Sequence, residues 1–117
     1  MSKKNQTSLI DLADPNNSSA DVLRKLKIQL MTISRMKISK IKIYHGHGLS
    51  ADGDNIRNIV RAELLEQARK ERIKAFCPGE VFGPFEKEGR KIVEVDPSFR
   101  DDDDWTKSNS GITLVAL

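Results

Sequence analysis

Apolar positions change period several times along this chain, and each change marks an element. Leu9, Ile10 and Leu12, within the run SLIDLA of residues 8–13, read as a short strand that stops at the polar turn DPNNSS. Val22, Leu23, Leu26, Leu30, Ile33 and Met36 then recur at three- and four-residue steps, with Arg24, Lys25, Lys27, Arg35 and Lys37 between them. That spacing predicts an amphipathic helix over 20–36, capped by Ser18 or Ser19 and carrying Asp21 in its first turn, where a negative charge is favoured. Ile41 and Ile43 alternate with Lys40, Lys42 and Tyr44, the period of a strand over 39–44. A second helix follows, with Ile56, Ile59, Val60, Leu64 and Ala68 inward, Arg57, Arg61 and Arg69 outward, and Asp52 or Asp54 as its cap. Ile73 to Cys77 closes this half as a third strand.

The remaining forty or so residues carry a weaker pattern. VFGPF at 81–85 and KIVEVD at 91–96 flank the charged EKEGR and read as an antiparallel hairpin turned at Gly89. DPSFRDDDDWTKSNSG reads as a long loop, and ITLVAL at 112–117 as a last strand that completes the sheet instead of standing at its edge. The expected fold is therefore α/β, an α+β sandwich of βαβαββ order, with a small mixed sheet, two helices on one face and an inserted hairpin or loop. Strand–helix–strand connections of this kind are right-handed, which carries both helices to the same side. Residues 1–7 are expected to be a flexible N-terminus and 8–117 one domain, with 78–110 as an extended insertion.

Size and composition narrow the class. A chain of 117 residues can bury one ordinary core. It lacks a run of about eighteen apolar residues, and its basic opening MSKKNQTSLIDL lacks the apolar stretch of a secretion signal, so a cytoplasmic protein without a membrane partner is expected. The lone Cys77 excludes an internal disulfide framework and a multi-cysteine zinc site, and reads as a small apolar side chain beside a strand. The net charge of +3 is unevenly spread: residues 1–50 hold nine Lys and Arg against three Asp, whereas 101–117 hold Lys107 against Asp101 to Asp104. A basic first half is compatible with a polyanion partner, though a surplus this small does not require one.

The chemistry concentrates at YHGHGLSADGDNIRNIV, residues 44–60. Ligands of open sheets sit beyond the carboxyl ends of parallel strands, and His45-Gly46-His47-Gly48 occupies such an end. Gly46 and Gly48 can point several amides at one phosphate oxygen, and the start of the following helix adds more. If the first two strands pair, the Asp11 carboxylate approaches this corner. Asp11 with His45 or His47 is then the minimum set for general acid–base attack on a phosphodiester, while Lys42, Arg57 and Arg61 are placed to hold neighbouring phosphates. The plain alternatives are that Asp11 caps its turn, that His45 bonds a backbone carbonyl and that the glycines only make a corner. A metal held by His45, His47 and Asp11 fits poorly, because the glycines break the strand that would align the imidazoles. No resident metal or other cofactor is expected, and Mg²⁺ or Mn²⁺ enters only with a nuclease reading. The aspartate run lacks the ligand spacing of a calcium loop and reads as solvated. Trp105 either roofs the sheet or stacks on a base.

Taken together, Ile10-Asp11-Leu12-Ala13, His45-Gly46-His47-Gly48 and Gly111-Ile112-Thr113-Leu114-Val115-Ala116-Leu117 resemble, in order and spacing, three landmarks of the Smr (small MutS-related) domain. These are Leu-Asp-x-His-Gly after the first strand, His-Gly-x-Gly after the second, and Gly-x-Thr-x-Val-x-Leu in the last. The resemblance spans residues 9–77 and 111–117. It implies a βαβαββ fold like the C-terminal domain of a bacterial translation initiation factor, and binding of structured or branched DNA or RNA, often with endonuclease activity. It also places Asp11 and the loop 45–48 at the site. The first-motif histidine is absent, with Ala13 in its place and Asp14 in place of the glycine after it. Alanine moves no proton and holds no metal, and a carboxylate there repels a phosphate. Either His47 supplies the missing group from across the cleft, or the chain binds without cutting. A third reading is a protein-interaction domain that docks a partner through residues 81–96 and the acidic loop.

Overall fold

The computed structural model describes residues 6–117; of the expected flexible N-terminus, residues 1–5 lie outside the described residues, and Thr7 already belongs to a strand. The elements are β1 (Thr7–Asp11), α1 (Ser19–Arg35), β2 (Lys40–Tyr44), α2 (Ile56–Arg69), β3 (Ala75–Pro78), α3 (Lys87–Val95) and β4 (Ile112–Ala116). Two 3-10 segments, Gly79–Val81 and Pro97–Asp101, flank α3. The sheet order is β1-β2-β4-β3. β1 and β2 are parallel, with Asp11 opposite Tyr44, while β4 runs antiparallel to both β2 and β3. The carboxyl ends of β1, β2 and β3 therefore share one end of the sheet with the start of β4.

Alternation along the strands sorts the core into two layers. Ile10, Ile41, Ile43 and Val115 face α1 and α2 through Val22, Leu26, Leu30, Ile33, Ile56, Val60 and Leu64. Both predicted helices thus lie on one face. Ser18 caps α1 in a reciprocal box with Asp21. The cap of α2 is Asn55, which accepts from the Asn58 amide, and not Asp52 or Asp54. Those two carboxylates instead take the hydroxyl of Ser19 at 2.9 and 2.6 Å and tie the loop before α2 to the start of α1. Asp52 also accepts from Ser50 Oγ, and these bonds hold its carboxyl at about 2.

The opposite face corrects the expected hairpin. Residues 87–95 form a helix, and Ile92 and Val93 pack with Phe82 and Phe99 against Cys77, Ile112 and Leu114. The β-branched pair at 92–93 imitates a strand, but Gly89, Ile92 and Val93 are the buried positions, at three- and four-residue steps. Gly89 does not turn the chain. A Cβ there would lie 2.1 Å from the Gly83 carbonyl oxygen, so its role is to let α3 touch the backbone of the preceding segment. The expected long loop is likewise structured. Asp102 and Asp104 grip the Lys42 ammonium at 2.7 and 2.6 Å, Lys40 donates to Ser98 Oγ at 2.7 Å, and Trp105 meets Phe82 edge to face at 5.0 Å. Trp105 roofs the second layer, and Asp102 and Asp104 are the counter-charge of β2, while Asp101 and Asp103 stay exposed to solvent. Burial disfavours the charge on Lys42, but its bonds to Asp102 and Asp104 outweigh that and raise its affinity for the proton.

Two outcomes follow for stability. Gly89→Ala should lower the urea midpoint by an amount equivalent to about 1–3 kcal/mol, whereas Gly48→Ala, with nothing within 4 Å of the added carbon, should stay within about 0.5 kcal/mol of wild type. Cys77 is fully buried, and burial together with Glu88 and Glu80 pushes its thiol up to about 12. An alkylating thiol reagent should therefore label Cys77 only at denaturant concentrations that unfold the chain, as read by mass spectrometry.

Candidate nucleic-acid interface

β2 ends at Tyr44, and the chain turns at once because the last strand holds it. The Gly111 carbonyl accepts the amides of both His45 and Gly46, at 3.1 and 3.0 Å. Gly46 takes φ +61°, a conformation open to glycine, and its backbone packs close to Ala13 and to Gly111. The parallel register and the bond from the Leu12 amide to the Tyr44 carbonyl bring the end of β1 alongside. Asp11, Ala13 and the glycine corner thus share one end of the sheet. Asp11 Oδ1 accepts from the Ala13 amide at 3.0 Å and closes the turn after β1. The carboxylate itself stays exposed.

The two histidines have separate surroundings. His45 has no solvent exposure. Its Nδ1 lies 3.0 Å from the Gly46 carbonyl, which can only accept, so Nδ1 carries the proton. Its Nε2 then accepts from the Thr113 hydroxyl at 2.9 Å, and that oxygen in turn accepts from Arg61 Nε at 3.1 Å. Burial first, then the nearby Arg61 and Arg57, lower the affinity of His45 for a second proton. The neutral ring is a fixed strut between the corner and β4, and no substrate atom can reach it without a rearrangement. His47 is exposed, with Nε2 2.7 Å from Ser110 Oγ.

The cations expected to hold phosphates divide in the same way. Lys42 is enclosed by Asp102 and Asp104. Arg61 does not point outward. Its fork binds both oxygens of Glu80, at 2.7 and 2.6 Å, and it also reaches Thr113. Burial alone would raise the Glu80 carboxyl, but the Arg61 fork outweighs it and lowers it. Glu80 was not singled out from the sequence, because its partner lies 19 positions away on another element. Arg57 differs from both. It forms no ion pair among the described residues, and its Nε is buried without a hydrogen-bond partner. It follows Ile56, whose amide donates to the Gly48 carbonyl at 3.2 Å. The amides of His47 and Gly48 themselves donate to no described residue. The donors of this end without a partner among the described residues thus include Arg57 Nε and the His47 and Gly48 amides. Among the described residues no three His, Cys, Asp or Glu side chains are grouped to hold a metal ion, and no helix is long and apolar enough to cross a membrane.

No protein-family profile matches the chain, and no curated protein matches it. Its fold is similar to that of the Smr domain of Thermus thermophilus MutS2, known from a crystal structure. The two align with a TM-score of 0.55 and 20% identity over 94% of this chain and 96% of that one.

Two measurements probe the strut. Thr113→Val keeps the shape but orphans His45 Nε2 and Arg61 Nε, and should cost about 1–3 kcal/mol for each group in a chemical melt. The pH dependence has a definite sign. The folded state lowers the His45 pKa below its ordinary value, so below about pH 6.5 the unfolded chain binds a proton that the folded chain refuses. Stability should be full above that pH and fall as the pH drops through the lowered folded-state value. Long-range proton–nitrogen spectra in the upper part of that window should show His45 neutral with the proton on Nδ1.

Proposed function

We propose that this chain binds structured or branched nucleic acid through its phosphate backbone at the glycine corner, and that binding, with at most weak cleavage, is its activity. The observation that carries this reading is Arg57: it lies in the first turn of α2 after the corner, forms no ion pair among the described residues and keeps a buried Nε without a hydrogen-bond partner, while the amides of His47 and Gly48 donate to no described residue. An uncommitted buried donor is costly, so little opposes a swing of the Arg57 side chain that brings its guanidinium, with the loop amides, onto a phosphate oxygen. The fold shared with an Smr domain supports the same class of ligand. Gly46 and Gly48 make the corner, Arg57 and His47 contact phosphate, and Arg61 positions Thr113 and His45. Lys42, held by two aspartates, plays no part.

Cleavage would need a proton acceptor and a proton donor at the scissile phosphate. His45 is buried and neutral, Ala13 stands where the resemblance calls for histidine, and one oxygen of Asp11 is taken by the turn. His47 with Asp11 is what remains for catalysis, and a divalent ion such as Mg²⁺ or Mn²⁺ would have to come with the substrate. Retention of labelled stem-loop RNA and branched DNA on filters should fall steeply with salt. Arg57→Ala should weaken it about tenfold, and Lys42→Ala should leave it within about twofold of wild type. Turnover that Asp11→Asn or His47→Ala abolishes, with or without Mg²⁺, would replace binding by endonuclease action. Absence of both retention and turnover would reject both.

A further inference from the structure

The sheet ends at β3, and its free edge is flanked by α2 on one side and α3 on the other. A groove of about 600 Å³ runs along it. Its two walls differ. On the α2 side lie Ala68, the ring of Phe76 and Leu65, which is 55% exposed. On the α3 side lie Lys87, Glu88 and Lys91, and Lys74 enters at one end. None of these four charged residues forms an ion pair among the described residues, so the uncompensated charge of the groove is positive; its other carboxylate, Glu80, belongs to Arg61.

The backbone of the edge is unpaired in a way that the ladder dictates. His45 donates to the Gly111 carbonyl and Leu117 to the Ser39 carbonyl, so the odd positions of the last strand turn their hydrogen-bonding groups to β2 and the even ones turn theirs to β3. On β3 the partners of Leu114 and Ala116 are Cys77 and Ala75. Phe76 therefore directs its amide and carbonyl away from the sheet, into the groove. Pro78 has no amide to offer, which limits the edge to a short addition.

We propose that this groove receives an extended segment of a partner protein, alternating apolar and acidic residues, as a fifth strand beside β3. Strand addition supplies the two main-chain bonds at Phe76, and the two-residue period sends alternate side chains to opposite walls. Apolar side chains then meet Leu65, Ala68 and Phe76, and carboxylates meet Lys87 and Lys91. A nucleic-acid strand satisfies the lysines but leaves the apolar wall and the Phe76 amide without partners. The surface is separate from the glycine corner, so this inference stands or falls independently of nucleic-acid binding there.

The test is an amide chemical-shift titration of the intact chain with a capped octapeptide alternating valine and glutamate. Saturable shifts are expected at Phe76, Leu65 and Lys91. The same eight residues arranged in two blocks should bind at least about fivefold more weakly, because the alternation is lost. Alternating valine and lysine should bind at least about tenfold more weakly, from like-charge contact. The exposed pair Lys87→Glu with Lys91→Glu, which should keep the wild-type spectrum elsewhere, should weaken the valine–glutamate peptide about tenfold. No saturable shift at Phe76, equal binding of the block peptide, or shifts in this groove with a DNA or RNA duplex but not with the peptide would overturn the proposal.

Discussion

One hydroxyl organises the glycine-corner end of this molecule. Thr113 Oγ1 receives a hydrogen from Arg61 and gives its own to His45, and His45 passes its Nδ1 hydrogen to the Gly46 carbonyl. Two positions back in sequence, just before β4, the Gly111 carbonyl takes both amides that open the corner. The inner strand β4 thereby fixes the corner from below while α2 fixes it from the side. Each member of the chain has one compatible protonation state, which is why burial can hold the imidazole neutral without leaving a donor or acceptor empty.

This arrangement separates structural from available groups. His45 and Arg61 belong to the first kind, together with Glu80, and Lys42 is consumed in the same sense on the other face by Asp102 and Asp104. Arg57, the His47 ring and the His47 and Gly48 amides belong to the second. They lie where the parallel strands end, the place at which an α/β sheet can expose backbone donors without breaking its own ladder. The modest net charge of the chain is thus a poor guide to binding. At this end of the sheet Lys42 and Arg61 are already paired with carboxylates, whereas Arg57 forms no ion pair among the described residues.

Much of the fold was legible from periodicity. Val22 to Ile33 and Ile56 to Leu64 gave helices on one face, and Ile41 with Ile43 gave a strand whose lysines point the other way. The region 81–105 was not legible, for two reasons. Ile92, Val93 and Val95 carry β-branched chemistry on a helix whose existence depends on contact with Phe82, Phe99 and the sheet, and local propensity is silent about such contacts. Gly89 looks like a turn residue, yet it is a point of backbone approach. At the candidate site, the motif spacing put the corner and Asp11 at one end of the sheet, where they lie, but it left open whether His45 serves chemistry or only bonds a backbone carbonyl. Strand alternation would put both rings on one face, but β2 ends at Tyr44 and the turn at Gly46, with φ +61°, leaves His45 buried under β4 and His47 exposed. The Arg61–Glu80 fork was invisible because it joins elements through space.

The most direct test of the account is a titration of nitrogen-labelled protein with a short nucleic-acid duplex, following the His47 and Gly48 amides and the Arg57 Nε–H. Binding at the corner predicts that these three signals move together, saturate, and lose the effect at high salt, while the His45 ring signals keep their neutral pattern. Shifts confined to other surfaces, or an Arg57 Nε–H that does not respond while the duplex binds, would contradict it.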